Sequence, residues 1–311
     1  MRTLSRHSLL LLLCGGLLSA AAAPSPEPFR FVAIGDSGAG SNGQRQVADR
    51  MWDWLRQHPF HLVLMLGDNI YGSTEVTGGG SPKRFQGEFD RYYQRFEESG
   101  VIFHAVLGNH DRQTGDGKFE IEDRKRFGID GAQGYYKFSS PEKFNVQGRT
   151  LVDFFAFNSE IHGREMADQI AWLKKSLKAS TALWKVVYMH RPIYTPKGRH
   201  APDLSLRKAI EQTLKDNGVQ LVLAGHNHFY GRMRPIGHIE YLVSGGGGGH
   251  LYRPEPDACT EIIRREFHFL AFDVYPDRIQ LWAIGEDGKV FDKTTIDPAF
   301  LASASNACAA N

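Results

Sequence analysis

Cysteine is scarce: three thiols in 311 residues, none of them in the polar clusters that the chain repeats. That absence disfavours zinc–thiolate and iron–sulfur chemistry. Net charge is also nearly absent, with 37 Lys and Arg against 35 Asp and Glu, so nothing argues for a duplex nucleic-acid face or a polybasic membrane patch. No solenoid period is present, and the only low-complexity tract is Gly245 to Gly249. No composition break marks a domain boundary, and the length suits one large domain or at most two. A membrane span is missing too, because the one strongly apolar run, Leu9 to Leu18, is too short to cross a bilayer.

That run belongs to the N-terminus. Arg2 and Arg6 precede it and small residues from Ser19 to Ala23 follow it, the layout of a secretory signal peptide over residues 1–23. Residues 24–311 are then a single exported domain, periplasmic or extracellular. Leu13 before Cys14 argues against lipid anchoring there. Cys259 and Cys308 remain, either as one disulfide pinning the C-terminal tail or as two free thiols.

What is abundant is alternation of strand-like and helix-like segments. Helical periodicity marks Asn42 to His58, capped by Asn42, then Ala167 to Lys178 and Pro202 to Asn217, the last stopped by Gly218. Strand-like runs occupy Phe31 to Ile34, Leu62 to Leu66, Val101 to Leu107, Asp153 to Phe157, Val186 to His190 and Leu221 to Ala224. Three more, Glu240 to Ser244, Phe267 to Val274 and Ile279 to Ile284, have turn-like connections that predict antiparallel pairing among themselves. The pattern predicts an α/β domain with two sheets packed face to face. Thr114 to Gly134, polar and punctuated by glycine, reads as an insertion rimming the site.

Five short clusters follow or close these strands: Asp36-Ser37-Gly38, Gly67-Asp68-Asn69-Ile70-Tyr71, Gly108-Asn109-His110-Asp111, Val187-Tyr188-Met189-His190 and Gly225-His226-Asn227-His228. Parallel strands open their carboxyl ends onto one crevice, so these side chains converge. A lone Gly-Asp pair is a common turn. Two such pairs, followed by Asn-His and His-x-His after further strands, point to a two-metal hydrolytic centre.

Each side chain has a chemical reason to be there. Asp68, central in the order, offers two oxygens to bridge two cations. Tyr71 is a phenol of pKa about 10 and needs a strongly polarising cation to stay ionised, which points to a trivalent ion on its side. His228 completes that side, while Asn109, His190 and His226 are neutral donors suited to a divalent ion. One trivalent and one divalent ion bring five charges, of which Asp36, Asp68, Tyr71 and a hydroxide remove four; about one remains to attract an anionic substrate such as phosphate. His110 is placed to protonate a departing alkoxide, or else only orients Asn109. His200 reaches substrate phosphate or is merely exposed, and His250 is undecided. Arg191 binds phosphate or makes a surface ion pair. His104, inside an apolar run, reads as a structural histidine.

In order, the five clusters resemble the signature blocks of the purple acid phosphatases, within the calcineurin-like metallophosphoesterases. The resemblance runs from about Phe31 to Ile296 and includes Gln169-Ile170-Ala171-Trp172-Leu173 and His190-Arg191-Pro192-Ile193-Tyr194. It is closer to the small tartrate-resistant branch than to the large plant enzymes. Asp36-Ser37-Gly38 stands where most other metallophosphoesterases have Asp-x-His. The resemblance implies a four-layer sandwich, two mixed β-sheets face to face and flanked by helices. It implies an iron(III) site of Asp36, Asp68, Tyr71 and His228, and a site for iron(II), zinc or manganese of Asp68, Asn109, His190 and His226. His110 would be the proton donor. Asn158 to Asp168 is shorter than the loop that mammalian relatives have cleaved.

The function expected is therefore acid phosphatase action on small phosphate monoesters, by metal-activated hydroxide with Asp68 and His110 as catalytic residues. Phosphodiester or nucleotide hydrolysis on the same centre is the rival. A non-catalytic metal- or phosphate-binding protein would be expected to lack a ligand or the proton donor, and none is missing. Oligomeric state is not legible.

Overall fold

The computed structural model describes residues 27–72, 80–302 and 308; the leader expected over 1–23, with Cys14, lies outside them. Thirteen strands are described: β1 (Phe29–Ile34), β2 (Leu62–Met65), β3 (Ile102–Ala105), β4 (Tyr136–Ser139), β5 (Val152–Ala156), β6 (Trp184–Met189), β7 (Leu221–Ala224), β8 (Tyr230–Met233), β9 (Glu240–Ser244), β10 (Thr260–Arg264), β11 (His268–Val274), β12 (Ile279–Gly285) and β13 (Val290–Ile296). They form two mixed sheets, in the orders β13-β12-β11-β1-β2-β3 and β10-β8-β9-β7-β6-β5-β4. Within the first, β1, β2 and β3 run parallel; within the second, β5, β6, β7 and β9 do.

The sheets bury a shared aromatic core. Phe31 of β1 stacks on Phe272 of β11 with ring centroids 4.4 Å apart, and meets Phe154 of β5 in the other sheet edge-on at 5.2 Å. A fully buried ring of this size contributes roughly 1.5–3 kcal/mol of transfer free energy, which makes the face-to-face seam the main adhesive of the fold. Helix α1 (Asn42–Gln57) covers the outer face of the first sheet with Val47, Ala48 and Met51. Helices α2 (Gly163–Ala179) and α3 (Leu204–Asp216) lie together over the second, burying Leu173, Leu177, Leu206, Ile210 and Leu214 against Val187, Val222 and Tyr241. The result is the helix–sheet–sheet–helix layering expected. Among the described residues no helix is long and apolar enough to cross a membrane.

Two expectations need correction. The cap of α1 is Ser41, whose side chain accepts from the Gln44 amide, and not Asn42. The pairing of β11 with β12 is antiparallel as expected. Glu240–Ser244, however, joins the other sheet, parallel to β7 and antiparallel to β8. All five residues of β9 are buried, which suits an interior strand covered on both faces; alternation announces a strand but not its partner. Thr114 to Gly134 carries the short helices Lys118–Glu122 and Arg124–Phe127, and Phe127 is buried against Phe85 and Phe89. Cys259 and Cys308 are free, buried thiols close enough to hydrogen-bond.

Candidate metal centre

The carboxyl ends of β1, β2, β3, β6 and β7 meet at one edge of the sandwich, where both sheets contribute. Tight backbone turns aim the side chains there. Asp36, Asp68 and His226 all have positive φ, at 58°, 52° and 70°, a conformation uncommon for residues with a Cβ and concentrated at functional sites. The glycines beside them serve close approach. A Cβ at Gly35 would sit 2.4 Å from Ser244 O, and one at Gly108 would sit 2.2 Å from Asp68 N. The glycine run is packed into the same corner, with Gly249 N donating to Asp36 O at 2.8 Å.

Two groups of donor atoms result. In the first, the Tyr71 hydroxyl lies 3.1 Å from Asp36 Oδ1 and 2.8 Å from His228 Nε2, and that nitrogen lies 3.2 Å from Asp36 Oδ1. Asp36, Asp68 and His228 bring ligand atoms within 4.8 Å of one another. In the second, His190 Nε2 lies 3.2 Å from Asn109 Oδ1, 3.2 Å from His226 Nδ1 and 3.5 Å from Asp68 Oδ1. Asp68 thus stands between the two. Backbone carbonyls set two of the tautomers: His190 Nδ1 donates to Leu66 O at 2.9 Å and His228 Nδ1 to His250 O at 2.8 Å. Each leaves Nε2 turned inward as a lone pair, the usual orientation of a metal-bound imidazole. Lone pairs and carboxylates crowded in this way repel unless a cation or proton lies among them. An oxygen- and nitrogen-donor set of this kind fits a pair of hard or borderline ions.

Electrostatics without metal express the same crowding. Burial pushes Asp68 up, and the facing Asp36 adds to it while His190 opposes. Burial, then Asp36 and Asp68, hold the Tyr71 hydroxyl well above its ordinary range. Burial opposes protonation of His190, yet Asp68 and Asp36 outweigh it and raise the ring to about 9. His226 is pushed down by burial, His190 and Arg191. A cation therefore competes with the proton on His190. Zinc binding, followed by chelator competition, is expected to release a proton and to weaken by about tenfold per pH unit as pH falls below about 9. A pH-independent affinity between 6 and 8 would contradict this.

His110, Arg191 and His200 are also on this edge. His110 N donates to Asp68 Oδ1 at 2.8 Å, and its ring packs 4.4 Å from Tyr71. Arg191 is held in two-point contact by the buried Glu160, Nε to Oε1 at 2.9 Å and Nη2 to Oε2 at 3.0 Å. Its Nη1 stands 3.1 Å from His226 Nε2. The ion pair is thus beside the centre, not out on the surface. His200 stacks 4.2 Å from the His226 ring. His104 lies away from the donor groups, stacked on Phe138 at 3.7 Å and lowered by burial to about 4.

Several supporting residues escaped sequence reading. Asp111 accepts from the amides of Gly108, Asn69 and Ile70 and from the Asn69 side chain, knotting two of the loops together. Its place beside His110 was the only signal. Glu88 accepts from Tyr71 N at 3.1 Å, Gln113 Nε2 lies 2.9 Å from His110 Nδ1, and Tyr252 stacks on His228 at 4.2 Å. None of these three carried a motif.

The calcineurin-like phosphoesterase family matches residues 29–230, a span that contains every one of these donors. The chain belongs to that family. Among curated proteins it is 27% identical over 255 residues to tartrate-resistant acid phosphatase type 5 of Mus musculus, covering 74% of this chain and 76% of that protein. It is 26% identical over 274 residues to purple acid phosphatase 15 of Arabidopsis thaliana, covering 76% of this chain but only 49% of the plant protein. The chain therefore spans about half of that relative. The fold is shared with purple acid phosphatase PPD1 of yellow lupin, at TM-score 0.71 and 17% identity, over 90% of this chain and 57% of that one. It is also shared with GAP50, described as the anchor in the inner membrane complex of Plasmodium, at TM-score 0.74 and 17% identity, over 88% and 89%.

Proposed function

We propose that this chain is an exported acid phosphatase that hydrolyses phosphate monoesters at an iron(III)–divalent pair. Asp36, Asp68, Tyr71 and His228 would hold the iron(III). Asp68, Asn109, His190 and His226 would hold iron(II), zinc or manganese. The observation that carries the reading is the meeting of seven donor side chains from five strand ends on the shared Asp68. When bound, the pair supplies a hydroxide nucleophile at low pH and neutralises phosphoryl charge.

The chain's own groups would do the rest. Arg191, already fixed by Glu160, would present its guanidinium edge to phosphate oxygens beside the second site. His110 would give a proton to the leaving oxygen. The Gln113 side chain engages Nδ1 at 2.9 Å, which leaves Nε2 as the nitrogen free to face a substrate. Removing a general acid costs about 10²–10⁴-fold, and the cost falls when the leaving group is stable unprotonated. His110→Asn is therefore expected to slow an alkyl phosphate far more than 4-nitrophenyl phosphate.

The test is initial rates for an aryl phosphate monoester and its matching diester, on iron- and zinc-loaded protein from acid to neutral pH. A monoester preference at acid pH supports the assignment, and a diester preference replaces it with a phosphodiesterase. Turnover of neither would favour a binding protein. The iron-loaded sample should absorb visible light and lose that band in Tyr71→Phe.

A further inference from the structure

Beside the metal centre lies a second feature that ester hydrolysis does not require. A groove of about 1010 Å³ opens next to the donor cluster, and its charged lining is of one sign, Arg199, Arg253, Arg264 and Arg265, with His250 beside them and Tyr252 at its inner end. The arginines are exposed. Among the described residues none of the four makes an ion pair with a carboxylate, whereas Arg191, beside the centre, is paired with Glu160. The nearest acids lie outside the groove. Glu255 and Asp257 line the adjoining depression, and Glu266 follows Arg265 in the chain.

The groove is joined to the centre by direct contacts. Tyr252 stacks on the ligand candidate His228 with its ring nearly parallel, and Tyr252 N donates to His228 O at 2.9 Å. On the groove side the Arg199 guanidinium sits 5.0 Å from the Tyr252 ring centre. The chain thus brings unneutralised guanidinium groups together next to a site that binds phosphate. A bound anion would relieve their mutual repulsion, and guanidinium is the side chain best matched to phosphate oxygens.

We propose that this groove receives a second phosphate of the substrate, so that the preferred substrates are small molecules with two or more phosphate groups. This rests on the phosphatase reading above, since it assumes that one phosphate occupies the metal centre. An aryl monoester would use only that half of the site.

The experiment compares kcat/KM for fructose 1,6-bisphosphate and fructose 6-phosphate on the metal-loaded enzyme. In parallel, calorimetry compares binding of hexane-1,6-bisphosphonate and hexylphosphonate, which needs no turnover. One charge-assisted contact is worth about tenfold or more, so a preference of at least about tenfold for the doubly charged member is expected in both. Arg253→Ala/Arg264→Ala/Arg265→Ala should erase the preference while hydrolysing 4-nitrophenyl phosphate at the wild-type rate, which also reports folding. Arg264→Gln alone should erase part of it. Turnover without any preference overturns the inference and spares the phosphatase reading. Bisphosphonate preference without turnover of any ester does the reverse. Salt-sensitive binding of a single-stranded oligonucleotide, lost in the triple variant and unaccompanied by bisphosphonate preference, overturns it in favour of a polymer.

Discussion

Asp68→Asn is expected to leave no measurable ester hydrolysis and to weaken both metal sites at once. The position is unusual in serving both donor groups, since Oδ1 lies 3.5 Å from His190 Nε2 while the residue also falls within 4.8 Å of the ligand atoms of Asp36 and His228. It also accepts the His110 amide, so the carboxylate orients the proton donor as well. An amide keeps the volume but removes a charge and one acceptor. The loss should exceed the 10²–10⁴-fold typical of removing an acid catalyst, because nucleophile, phosphate binding and donor orientation all depend on it. Metal content after gel filtration should fall at both sites. A variant retaining full activity and both ions would refute the proposed centre.

The second large effect is on stability and lies far from the chemistry. Asp292 of β13 is buried and takes Arg232 of β8 in two-point contact, at 2.7 and 3.2 Å, with the Tyr230 hydroxyl at 2.5 Å. This group ties the two sheets together. Asp292→Asn would leave the Arg232 guanidinium charged and nearly unpaired in the interior, which costs about 3–5 kcal/mol. For a domain this size that is a fall in Tm on the order of 10 °C. Glu240, 3.8 Å from Arg232, provides the contrast. Burial raises its carboxyl well above the ordinary range, which makes it the weaker counter-charge, and Glu240→Gln should change Tm less than Asp292→Asn. Thermal melts of the two variants decide the matter; equal losses would mean that Glu240 and Asp292 share the counter-charge. Catalysis by Asp292→Asn below its melting range should be unaltered.

The donor cluster was readable in the sequence because its residues follow strand ends, and strand ends are marked by apolar runs followed by glycine and polar residues. The runs before Asp36, Asp68, Asn109 and His226 announce their strands, and β7 and β9 match their expected spans at both ends. Less was readable where burial is partial. Three of the unassigned strands, β4, β10 and β13, are edge strands, whose exposed faces carry polar residues that dilute the pattern. The segment from Pro82 to Glu98, which buries Phe85, Phe89, Tyr93 and Phe96 and supplies Glu88, was likewise unassigned.

By itself, then, the sequence determined the alternation of elements, the residue types of the site and their order, because each depends on neighbours within a few positions. Only the tertiary structure decided which sheet β9 joins, that Glu160 grips Arg191, and that Asp111 ties the Asn69 loop to the Gly108 loop. It alone brought the four arginines around Tyr252 into one groove. Those outcomes depend on contacts between residues far apart in the chain. No local pattern encodes them, since long-range pairing is settled by which surfaces bury best against each other when the whole domain packs.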